Sequence, residues 1–410
     1  MPHRIEDSQT SSIDEFTTPL VAVIGVGFVG TGLVDSFSSA YNVLGFDVSK
    51  KRIDELRQQF SARPNVSFTT NESDLQEATH FLISVPTLLL PDRSVDLTYL
   101  KNALGVVQKW ARPFSAVVIE SSVAVGLTRK LLGPIAASRG FFAGMSPERI
   151  DPGRSEPPMR SIPKVVSGLD DVIPGSLKAI TRLYSRVFEQ VVPVSEPEVA
   201  EMTKLYENCQ RMMCIAFVNE MADACIPLGI DPFEVCQAAA TKPFGYMPFS
   251  PSLGVGGHCI PVNPYYLLAT SEFPLLEAAA EKMNSRPIKM ARSIVDELCG
   301  KKAKRDSGVL IAKRVLVVGV GFKAGQSHLV NSPGLKLASE LNKFCEVDVM
   351  FADALVSQSD VPEIPRLDDE DWTEEKLEEF DMIVVAFRQW DMDFSVLDNL
   401  SGARVRMWCH

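Results

Sequence analysis

The sequence lacks the features of a membrane-spanning or secreted protein. It has no run of about eighteen apolar residues that could cross a bilayer. Residues 1–18 are polar and lack the apolar core of a signal peptide, so we interpret them as a disordered lead-in. The eight cysteines include no Cys-x-x-Cys pair and no paired metal-ligand spacing. We therefore expect a cytoplasmic protein with reduced thiols and no metal site.

The chain is also short of positive charge. Its 41 lysines and arginines are outnumbered by 52 aspartates and glutamates, which gives a formal net charge of -11. This balance disfavours nucleic acid as a partner, but it is compatible with a local basic pocket for an anionic ligand. With 410 residues, of which 46% are hydrophobic, the chain is long enough for about two to four globular domains.

The first apolar run predicts a dinucleotide-binding unit. Leu20–Ile24 leads into Gly25-Val26-Gly27-Phe28-Val29-Gly30, whose glycine spacing lets the backbone approach a pyrophosphate at a helix N-terminus. A second strand, Val43–Phe46, ends in Asp47, where a carboxylate can hold the adenosine ribose hydroxyls. Asp47 would repel a 2′-phosphate, which favours NAD over NADP. Lys50-Lys51-Arg52 weaken that preference, unless they simply form a solvated helix start.

Two later strands end in small polar residues. Phe81–Val85 is followed by Pro86-Thr87, and Ala116–Glu120 is followed by Ser121-Ser122. Because ligands of an open parallel sheet bind beyond the carboxyl ends of the strands, we expect these hydroxyls to contact the cofactor, to cap helices, or both. Glu148 lies in the next Pro/Gly-rich loop and is either a solvated carboxylate or a general base.

A long helix follows in the middle of the chain. Ser195-Glu196-Pro197-Glu198 has a capping-box pattern that predicts a helix running to about Leu228. Four polar residues recur at intervals of three and four and therefore share one face of this helix. That face is either a wet surface or a wall of an anion-binding cleft. The four residues are Glu201, Lys204, Asn208 and Arg211.

One cysteine lies in an unusually permissive stretch, Gly254–Pro264. Cys259 follows three glycines, which tolerate backbone angles that other residues refuse and allow close approach to the main chain. Asn263-Pro264 predicts an N-cap and first helical residue of a helix through Leu267. A helix N-terminus beside a thiol favours the thiolate, so Cys259 is a candidate nucleophile. The alternative is an ordinary buried cysteine.

A second α/β pattern occupies the C-terminal part. After the charged segment Gly300–Asp306, Arg314–Val318 enters Gly319-Val320-Gly321-Phe322-Lys323, and further strands are predicted at Val347–Phe351 and Met382–Ala386. The third glycine of the Gly-x-Gly-x-x-Gly pattern is missing, so we expect no second dinucleotide to bind there.

The predicted fold class is α/β, with two Rossmann-like doubly wound domains joined by a helical connector that contains a long central helix. Residues 1–18 form the lead-in. The three predicted parts are 19–194 for NAD binding, 195–300 for the helical part with the cysteine loop, and 301–410 for the second Rossmann-like domain.

Taken together, these motifs resemble those of the UDP-glucose/GDP-mannose dehydrogenase family from Leu20 onward. Their residue sequences are most similar to those of the branch that acts on UDP-N-acetylhexosamines. The segments that carry the resemblance are Gly25–Gly30, Ser84–Thr87, Glu120–Ser122, Ser146–Gly153, Lys204 with Asn208, Thr241–Gly245 and Gly256–Pro261.

The resemblance implies an NAD-dependent oxidation of a sugar C6 alcohol to a carboxylate. Cys259 would trap the aldehyde as a thiohemiacetal, and a second oxidation would give a thioester. Lys204 and Asn208 would steady the oxyanion, and Glu148 would assist hydrolysis through water. The C-terminal domain would bind the UDP moiety, and the central helix would form a homodimer.

The resemblance and the spacing together give three sets of candidate site residues. The catalytic set is Cys259, Lys204, Asn208, Glu148, Asn263 and Ser122. The NAD-binding set is Gly25, Gly27, Phe28, Val29, Gly30, Asp47, Val85, Pro86, Thr87, Ser121 and Ser122. The substrate-binding set is Glu148, Arg149, Ile150, Lys204, Asn208, Phe249, Gly256, Gly257, Phe322 and Lys323.

The sequence departs from the family pattern at several positions. Asn263 replaces an aspartate; it is as good an N-cap, but an amide is not a proton acceptor. Val330, in the segment Ser327–Pro333, replaces an arginine that helps to organise the substrate site in relatives. Ser122 replaces a threonine and Cys214 an asparagine.

These departures leave three functional interpretations. The first is a nucleotide-sugar 6-dehydrogenase, which could be slowed in its hydrolytic half. The second is an NAD-dependent oxidoreductase of the same fold recruited to a substrate that is not a nucleotide sugar. The third is a catalytically impaired homologue that binds NAD or a nucleotide sugar and acts through partners. The intact Cys259, Lys204, Asn208 and Glu148 argue against the third.

Overall fold

A computed structural model describes residues 19–409 except 152, 153, 155 and 301–311. The predicted lead-in and nearly all of the predicted charged linker lie outside the described residues. Over the part that is described, no helix is both long and apolar enough to cross a membrane. The chain forms two compact units: unit 1 contains residues up to Glu207 together with Tyr265–Ser271, and unit 2 contains Asn208–Pro264 and Glu272 onward. The three-part division at 194 and 300 stays a prediction.

Unit 1 is built on a parallel sheet with helices between its strands. The sheet order is β3-β2-β1-β4-β7-β8, which is typical of the doubly wound fold class that the sequence predicted. The strands are β1 (Leu20–Ile24), β2 (Asn42–Phe46), β3 (Val66–Thr69), β4 (His80–Ile83), β5 (Leu88–Leu89), β6 (Val95–Asp96), β7 (Ala116–Ile119), β8 (Phe142–Met145), β9 (Lys164–Val166) and β10 (Val191–Pro193). The helices are α1 (Phe28–Phe37), α2 (Lys50–Gln59), α3 (Thr98–Trp110), α4 (Leu127–Arg139) and α5 (Ser176–Tyr184).

Both faces of this sheet are buried, which explains why its strands are continuously apolar. Val21 and Val23 pack on one side of β1, whereas Ala22 and Ile24 pack on the other. Helix-covered parallel sheets need apolar residues at every strand position rather than at alternate ones. Since all strands of the sheet run in the same direction, their carboxyl ends lie along one edge.

The predicted central helix is confirmed. It spans α6 (Pro197–Cys225) and continues as a 3-10 turn over Ile226–Leu228. Its residues from Asn208 onward belong to unit 2. The other helices are α7 (Pro232–Ala240), α8 (Asn263–Leu268), α9 (Pro274–Cys299), α10 (Pro333–Leu341) and α11 (Glu374–Leu377).

Unit 2 contains the second parallel sheet. Its order is β12-β11-β13-β14, and apolar clusters cover both of its faces. The strands are β11 (Lys313–Val318), β12 (Val347–Ala352), β13 (Met382–Val385) and β14 (Arg404–Met407). The predicted strands of the C-terminal part are therefore confirmed.

In unit 2, Gly334 performs the packing role of the third glycine of the Gly-x-Gly-x-x-Gly pattern. A Cβ on Gly30 of α1 would lie 1.9 Å from the carbonyl oxygen of Gly25, and a Cβ on Gly334 of α10 would lie 2.2 Å from that of Gly319. The two glycines thus perform the same task, which is close packing of the first helix on the strand turn. In unit 2 the segment 322–332 is inserted before the helix. The third glycine is thus absent at its usual spacing, as expected, and Gly334 supplies its packing role after the insertion.

The carboxylate at the end of the second strand is also repeated. Asp353 follows β12 and accepts hydrogen bonds from the backbone N–H groups of Val320 (2.9 Å) and Gly321 (3.1 Å). Its other oxygen accepts from the side chain of Gln389 at 2.9 Å, and Asp353 is only 1% exposed. Asp353 is therefore engaged within the protein, and the absence of a second dinucleotide stays a prediction.

Candidate active site

The glycine turn after β1 has the geometry needed to hold a pyrophosphate. Gly25 has φ +85°, and a Cβ added there would meet the Ser84 carbonyl oxygen at 2.5 Å. At Gly27, which is exposed, no heavy atom lies within 4 Å of an added Cβ. The backbone is thus open on the side where the helix N-terminus begins, and the residues present fit a dinucleotide. Phe28 is 56% exposed at the first position of α1.

Asp47 lies at the end of β2, as the sequence predicted. One carboxylate oxygen accepts from the Val26 N–H at 3.1 Å, and the other accepts from the Ser49 N–H at 2.9 Å. These bonds fix the orientation of Asp47 beside the glycine turn. Arg52 donates to the Val26 carbonyl (3.0 Å) and the Thr31 hydroxyl (2.9 Å), so its guanidinium braces the turn.

The strand-end residues have distinct roles. The Ser121 hydroxyl accepts from the Val85 N–H at 3.0 Å and donates to the Val85 carbonyl at 2.7 Å. Its side chain therefore ties the end of β7 to the end of β4. Capping is not its role, because α4 starts after Gly126. Ser122 and Thr87 are half-buried and Pro86 is exposed at the same sheet edge.

A groove of about 690 Å³ adjoins this region in unit 1. It is lined by Phe28 and Arg52 on one side and by Arg149, Ile150 and Asp151 on the other. Asp47 and Val85 do not line it, so the groove borders the glycine turn rather than coinciding with the predicted cofactor contacts.

Glu148 is buried, not solvated. It is 7% exposed, and its Oε1 accepts from the N–H groups of Arg149 (2.6 Å) and Ile150 (3.0 Å). Its Oε2 accepts from the Lys164 ammonium at 2.6 Å. The Arg149 guanidinium pairs with Glu207 at 2.5 Å. A loop carboxylate held by three donors is built for a fixed orientation.

The polar stripe of α6 is not a wet surface. Glu201, Lys204 and Asn208 are 0%, 7% and 5% exposed, and only Arg211 faces solvent. Glu201 accepts from the N–H groups of Gly126 (2.6 Å) and Thr128 (2.8 Å), so it serves the start of α4. Lys204 and Asn208 remain as the site candidates of this helix.

Asn208 is joined to the cysteine segment within unit 2. Its Nδ2 donates to Oδ1 of Asn263 at 2.5 Å, and Asn263 is 2% exposed. The predicted short helix is confirmed, but α8 begins at Asn263 itself. The side chain of Asn263 therefore links α8 to α6 instead of acting as the predicted N-cap.

Cys259 is a free, half-buried thiol just before α8. Its carbonyl oxygen accepts from the N–H groups of Val262 (3.1 Å) and Asn263 (2.9 Å), which fixes its backbone in the turn leading to the helix. It is therefore neither fully buried in a core nor on a loose loop.

The glycines before Cys259 allow a close approach, but the partner is Phe322. Gly257 has φ +90°, and an added Cβ would lie 2.9 Å from the Phe322 ring. The Gly257 N–H donates to the Val330 carbonyl at 2.9 Å, and the Asn331 side chain donates to the Gly257 carbonyl at 3.0 Å. The inserted segment of unit 2 is thus bonded to the cysteine loop.

The other substrate candidates of unit 2 lie in the cysteine loop, in the inserted segment, or in the loop that follows α7. Gly256 contacts Phe322 and Pro333, and Lys323 is half-buried beside Phe322. Phe249 is half-buried in the loop that follows α7. Val330 is 38% exposed, so this position of the inserted segment presents a small apolar side chain.

Three buried residues next to Glu148 were not predicted as site residues. They are Glu120, Lys164 and Tyr184. Lys164 opens a strand of apolar residues, Val165 and Val166, and is itself 2% exposed. A single lysine in a short buried strand was the pattern that could have identified it, because lysine is almost never buried without a charged partner.

The glycine turn and the carboxylate after β2 define an NAD-dependent dehydrogenase. The sequence matches the NAD binding domain of the UDP-glucose/GDP-mannose dehydrogenase family over residues 20–188 and the central domain of that family over residues 198–286. The chain belongs to the UDP-glucose/GDP-mannose dehydrogenase family.

Similar proteins cover most of the chain. A UDP-N-acetyl-D-glucosamine 6-dehydrogenase of Pseudomonas aeruginosa is 35% identical over 83% of this chain and 84% of its own length. One from Salmonella typhi is 32% identical over 89% of each chain. Among solved structures, a UDP-D-ManNAc dehydrogenase from Pyrococcus horikoshii superimposes with a TM-score of 0.81 at 24% identity, covering 95% of this chain and 99% of that chain. The structural likeness confirms the fold.

Proposed function

We propose that this protein oxidises the C6 alcohol of a UDP-N-acetylhexosamine to the carboxylate, using NAD. The residue sequences of the Lys242–Gly245 and Gly256–Pro261 motifs support this substrate class, because they resemble those of the branch that acts on UDP-N-acetylhexosamines. Two relatives that exceed 30% identity over more than four fifths of the chain are described as UDP-N-acetyl-D-glucosamine 6-dehydrogenases.

The observation that carries the proposal is the Asn208–Asn263 hydrogen bond. It joins two separate sequence motifs, the polar stripe of α6 and the cysteine segment, at 2.5 Å in a buried position. The chain thereby fixes Asn208 close in space to the segment of Cys259. Covalent trapping of a carbonyl requires a thiol and an oxyanion donor held in fixed positions, and this bond fixes the amide relative to the helix that follows Cys259.

Cys259 acts as the nucleophile in this proposal. Its thiolate adds to the C6 aldehyde carbon and forms a C–S bond, and Lys204 and Asn208 stabilise the oxyanion. Removal of one such donor in other enzymes costs about 3–4 kcal/mol. When bound, NAD supplies the hydride acceptor, one molecule for each of the two oxidations. The second oxidation leaves a thioester on Cys259.

Glu148 then assists hydrolysis. Water attacks the thioester carbon, one proton passes from the water to Glu148, and the C–S bond breaks to release the Cys259 thiolate and a carboxylic acid. The carboxylic acid then loses the second proton to solvent and becomes the carboxylate. Asn263 cannot take the proton of the attacking water, because an amide has no accessible basic form. The carboxylate of Glu148 is therefore the base of the hydrolytic half.

Unit 2 supplies the nucleotide site in this proposal. Phe322 and Lys323 begin the inserted segment, and Gly256 and Gly257 pack directly on Phe322. Binding of the UDP moiety to this segment would be transmitted to the cysteine loop through the Gly257–Val330 and Gly257–Asn331 hydrogen bonds.

A second candidate is an oxidoreductase of the same fold whose substrate lacks the nucleotide. The observation in its favour is Val330, which offers no charge to a phosphate at the arginine position. UDP-N-acetylglucosamine turned over with the same kcat/KM as the free sugar would support this alternative.

We also propose a homodimer formed by the central helix. The end of the helical segment exposes an apolar patch, hereafter the α6 patch, in which Phe217 and Met221 are one turn apart. Exposed apolar clusters of this kind mark association surfaces. The exposed fractions are Phe217 68%, Met221 41%, Ile226 60% and Leu228 71%.

The direct test is NADH formation by purified protein with NAD and a panel of UDP-sugars. We expect activity with at least one UDP-N-acetylhexosamine, and Cys259→Ser should abolish formation of the carboxylate. Cys345→Ser is the matched control, because Cys345 is exposed and lies outside every motif of the site. Carboxylate formation by the Cys259→Ser variant at the wild-type rate would overturn the nucleophile assignment.

A further inference from the structure

A buried ion cluster lies behind Glu148 in unit 1. It consists of Glu120 after β7, Glu148 after β8, Lys164 at the start of β9 and Tyr184 at the end of α5; we call it the Lys164 cluster. The Lys164 Nζ lies 2.7 Å from Glu120 Oε2 and 2.6 Å from Glu148 Oε2. The Tyr184 hydroxyl donates to the other oxygen of Glu120. The side chains of Lys164, Glu120 and Glu148 are 3%, 0% and 6% exposed.

The bonds of Glu148 leave it one place to bind water. A carboxylate has about four lone-pair sites. Oε1 accepts from two backbone N–H groups and Oε2 accepts from Lys164, which leaves one site, on Oε2. The oxygen available to a hydrolytic water is thus the same oxygen that Lys164 holds. The basicity of that oxygen depends on how much of the ammonium charge it receives.

The charges of the cluster do not balance when all its groups are ionised. Two carboxylates and one ammonium give a net charge of -1 in a buried site, where unpaired charge is costly. Glu120 faces only Lys164, Glu148 and Tyr184 among the titratable groups of the surrounding elements that are described. Burial raises the pKa of Glu120 to about 7, with Lys164 acting against the shift and Glu148 adding to it.

We propose that Lys164 and Glu120 are positioning residues for Glu148 in thioester hydrolysis. Lys164 orients the Glu148 carboxylate, and Glu120 draws the ammonium charge away from it when Glu120 is ionised. Glu148 is then the stronger base, and it accepts the proton of the attacking water more readily. When Glu120 is protonated, Lys164 compensates Glu148 alone and weakens it. This inference rests on the proposed function, because it concerns the hydrolytic half of that reaction.

The test measures decay of the Cys259 thioester after a single turnover, by rapid quenching and intact-protein mass spectrometry across a pH series. In wild type the decay rate should rise with pH through the neutral range. In Glu120→Gln the side chain is permanently uncharged, so the rise should disappear. The rate above neutral pH should fall about tenfold, because Lys164 then compensates Glu148 alone and makes it a weaker base. The rates of NADH formation that precede hydrolysis should be unchanged.

A second variant provides a test that does not depend on whether Glu120→Gln folds. Tyr184→Phe removes a hydrogen bond that favours the ionised form of Glu120, so the inflection of the pH profile should move to higher pH. The matched control is Glu201→Gln. Glu201 is another fully buried glutamate of unit 1, but its carboxylate accepts from the backbone N–H groups of Gly126 and Thr128 at the start of α4. Its pH profile should match that of wild type.

The possible outcomes separate this inference from the proposed function. A wild-type inflection that persists unchanged in Glu120→Gln, or stays at the same pH in Tyr184→Phe, overturns the positioning role and leaves the proposed function intact. Absence of NADH formation by wild type with every UDP-sugar overturns the proposed function and this inference with it. Loss of the inflection in Glu120→Gln, with the Glu201→Gln profile unchanged, supports both.

Discussion

At the scale of single residues, the chemistry depends on how a few buried polar groups are held. Asn263 illustrates this. Judged from the sequence it is a helix cap that has lost the basicity of an aspartate. In the structure its Oδ1 accepts from Asn208, so it contributes to the placement of a proposed oxyanion donor.

Changing Asn263→Asp should preserve that hydrogen bond, since a carboxylate oxygen accepts it equally well. The new carboxylate adds a second base, so we expect the decay of the Cys259 thioester to become faster by about tenfold or more. Asn219→Asp is the matched control, because Asn219 is also fully buried in unit 2 and its Oδ1 accepts from the Ser252 N–H. A slower decay in Asn263→Asp would show that the amide is required by the chemistry.

Glu120 should also make the stability of unit 1 dependent on pH. Its pKa is raised by burial to about 7, above the unfolded value. The folded state therefore holds a proton that the unfolded chain has lost, and the stabilisation is complete below the unfolded pKa and lost as pH rises to about 7. Urea midpoints should fall over this range in wild type and fall less in Glu120→Gln.

Trp110 can report this effect, because it is the only one of the four tryptophans that lies in unit 1. Its fluorescence should be followed in a background where the other three are changed to phenylalanine. Equal pH slopes for the Glu120→Gln variant and its parent would contradict the pKa shift.

At the scale of elements, the sequence predicted the strands and helices well where burial is complete. The continuous apolar strands β1, β4, β7 and β11 and the capping-box start of α6 were all found within one or two residues. What the sequence could not reveal were contacts between distant segments. Gly334 performs the role of the third glycine, but an inserted segment separates it from Gly321. Lys164 is recognisable as a site residue only through its contacts with Glu120 and Glu148, which follow other strands.

The role of Gly334 gives a prediction for α10. An added Cβ would lie 2.2 Å from the Gly319 carbonyl oxygen, which the packed backbone cannot accommodate without moving the helix. We expect Gly334→Ala to lower the stability of unit 2 by about 1–3 kcal/mol, as overpacking does elsewhere. Gly105→Ala, in an exposed part of α3 with no atom within 4 Å of the new Cβ, should instead stabilise unit 1 by about 0.5–1 kcal/mol. Denaturant unfolding of each unit measures both, and a neutral Gly334→Ala would argue against the equivalence with Gly30.

At the scale of the whole molecule, the family and the fold followed from ordered motifs along the chain, each of which is short. The association state did not follow in the same way. Among the described residues, the physical basis offered for it is the exposed α6 patch, and the exposure of a helix face is decided by packing and not by composition.

The α6 patch should hold two copies of the protein together. Phe217→Glu combined with Leu228→Glu places charges in an apolar interface, so we expect a dimer to become a monomer in light scattering coupled to size exclusion. Leu275→Glu is the control, because Leu275 is 64% exposed and lies outside the patch. A wild-type protein that is monomeric at all concentrations would refute the proposed homodimer.

The central claim is that Cys259 carries a sugar through two successive oxidations. The most direct measurement is the number of NADH molecules formed per molecule of UDP-N-acetylhexosamine consumed, together with the mass of the adduct trapped on Cys259 during turnover. We predict two NADH per sugar and an adduct whose mass is that of the thioester. No NADH from any UDP-sugar while NAD still binds, or full oxidation without an adduct on Cys259, would contradict this claim.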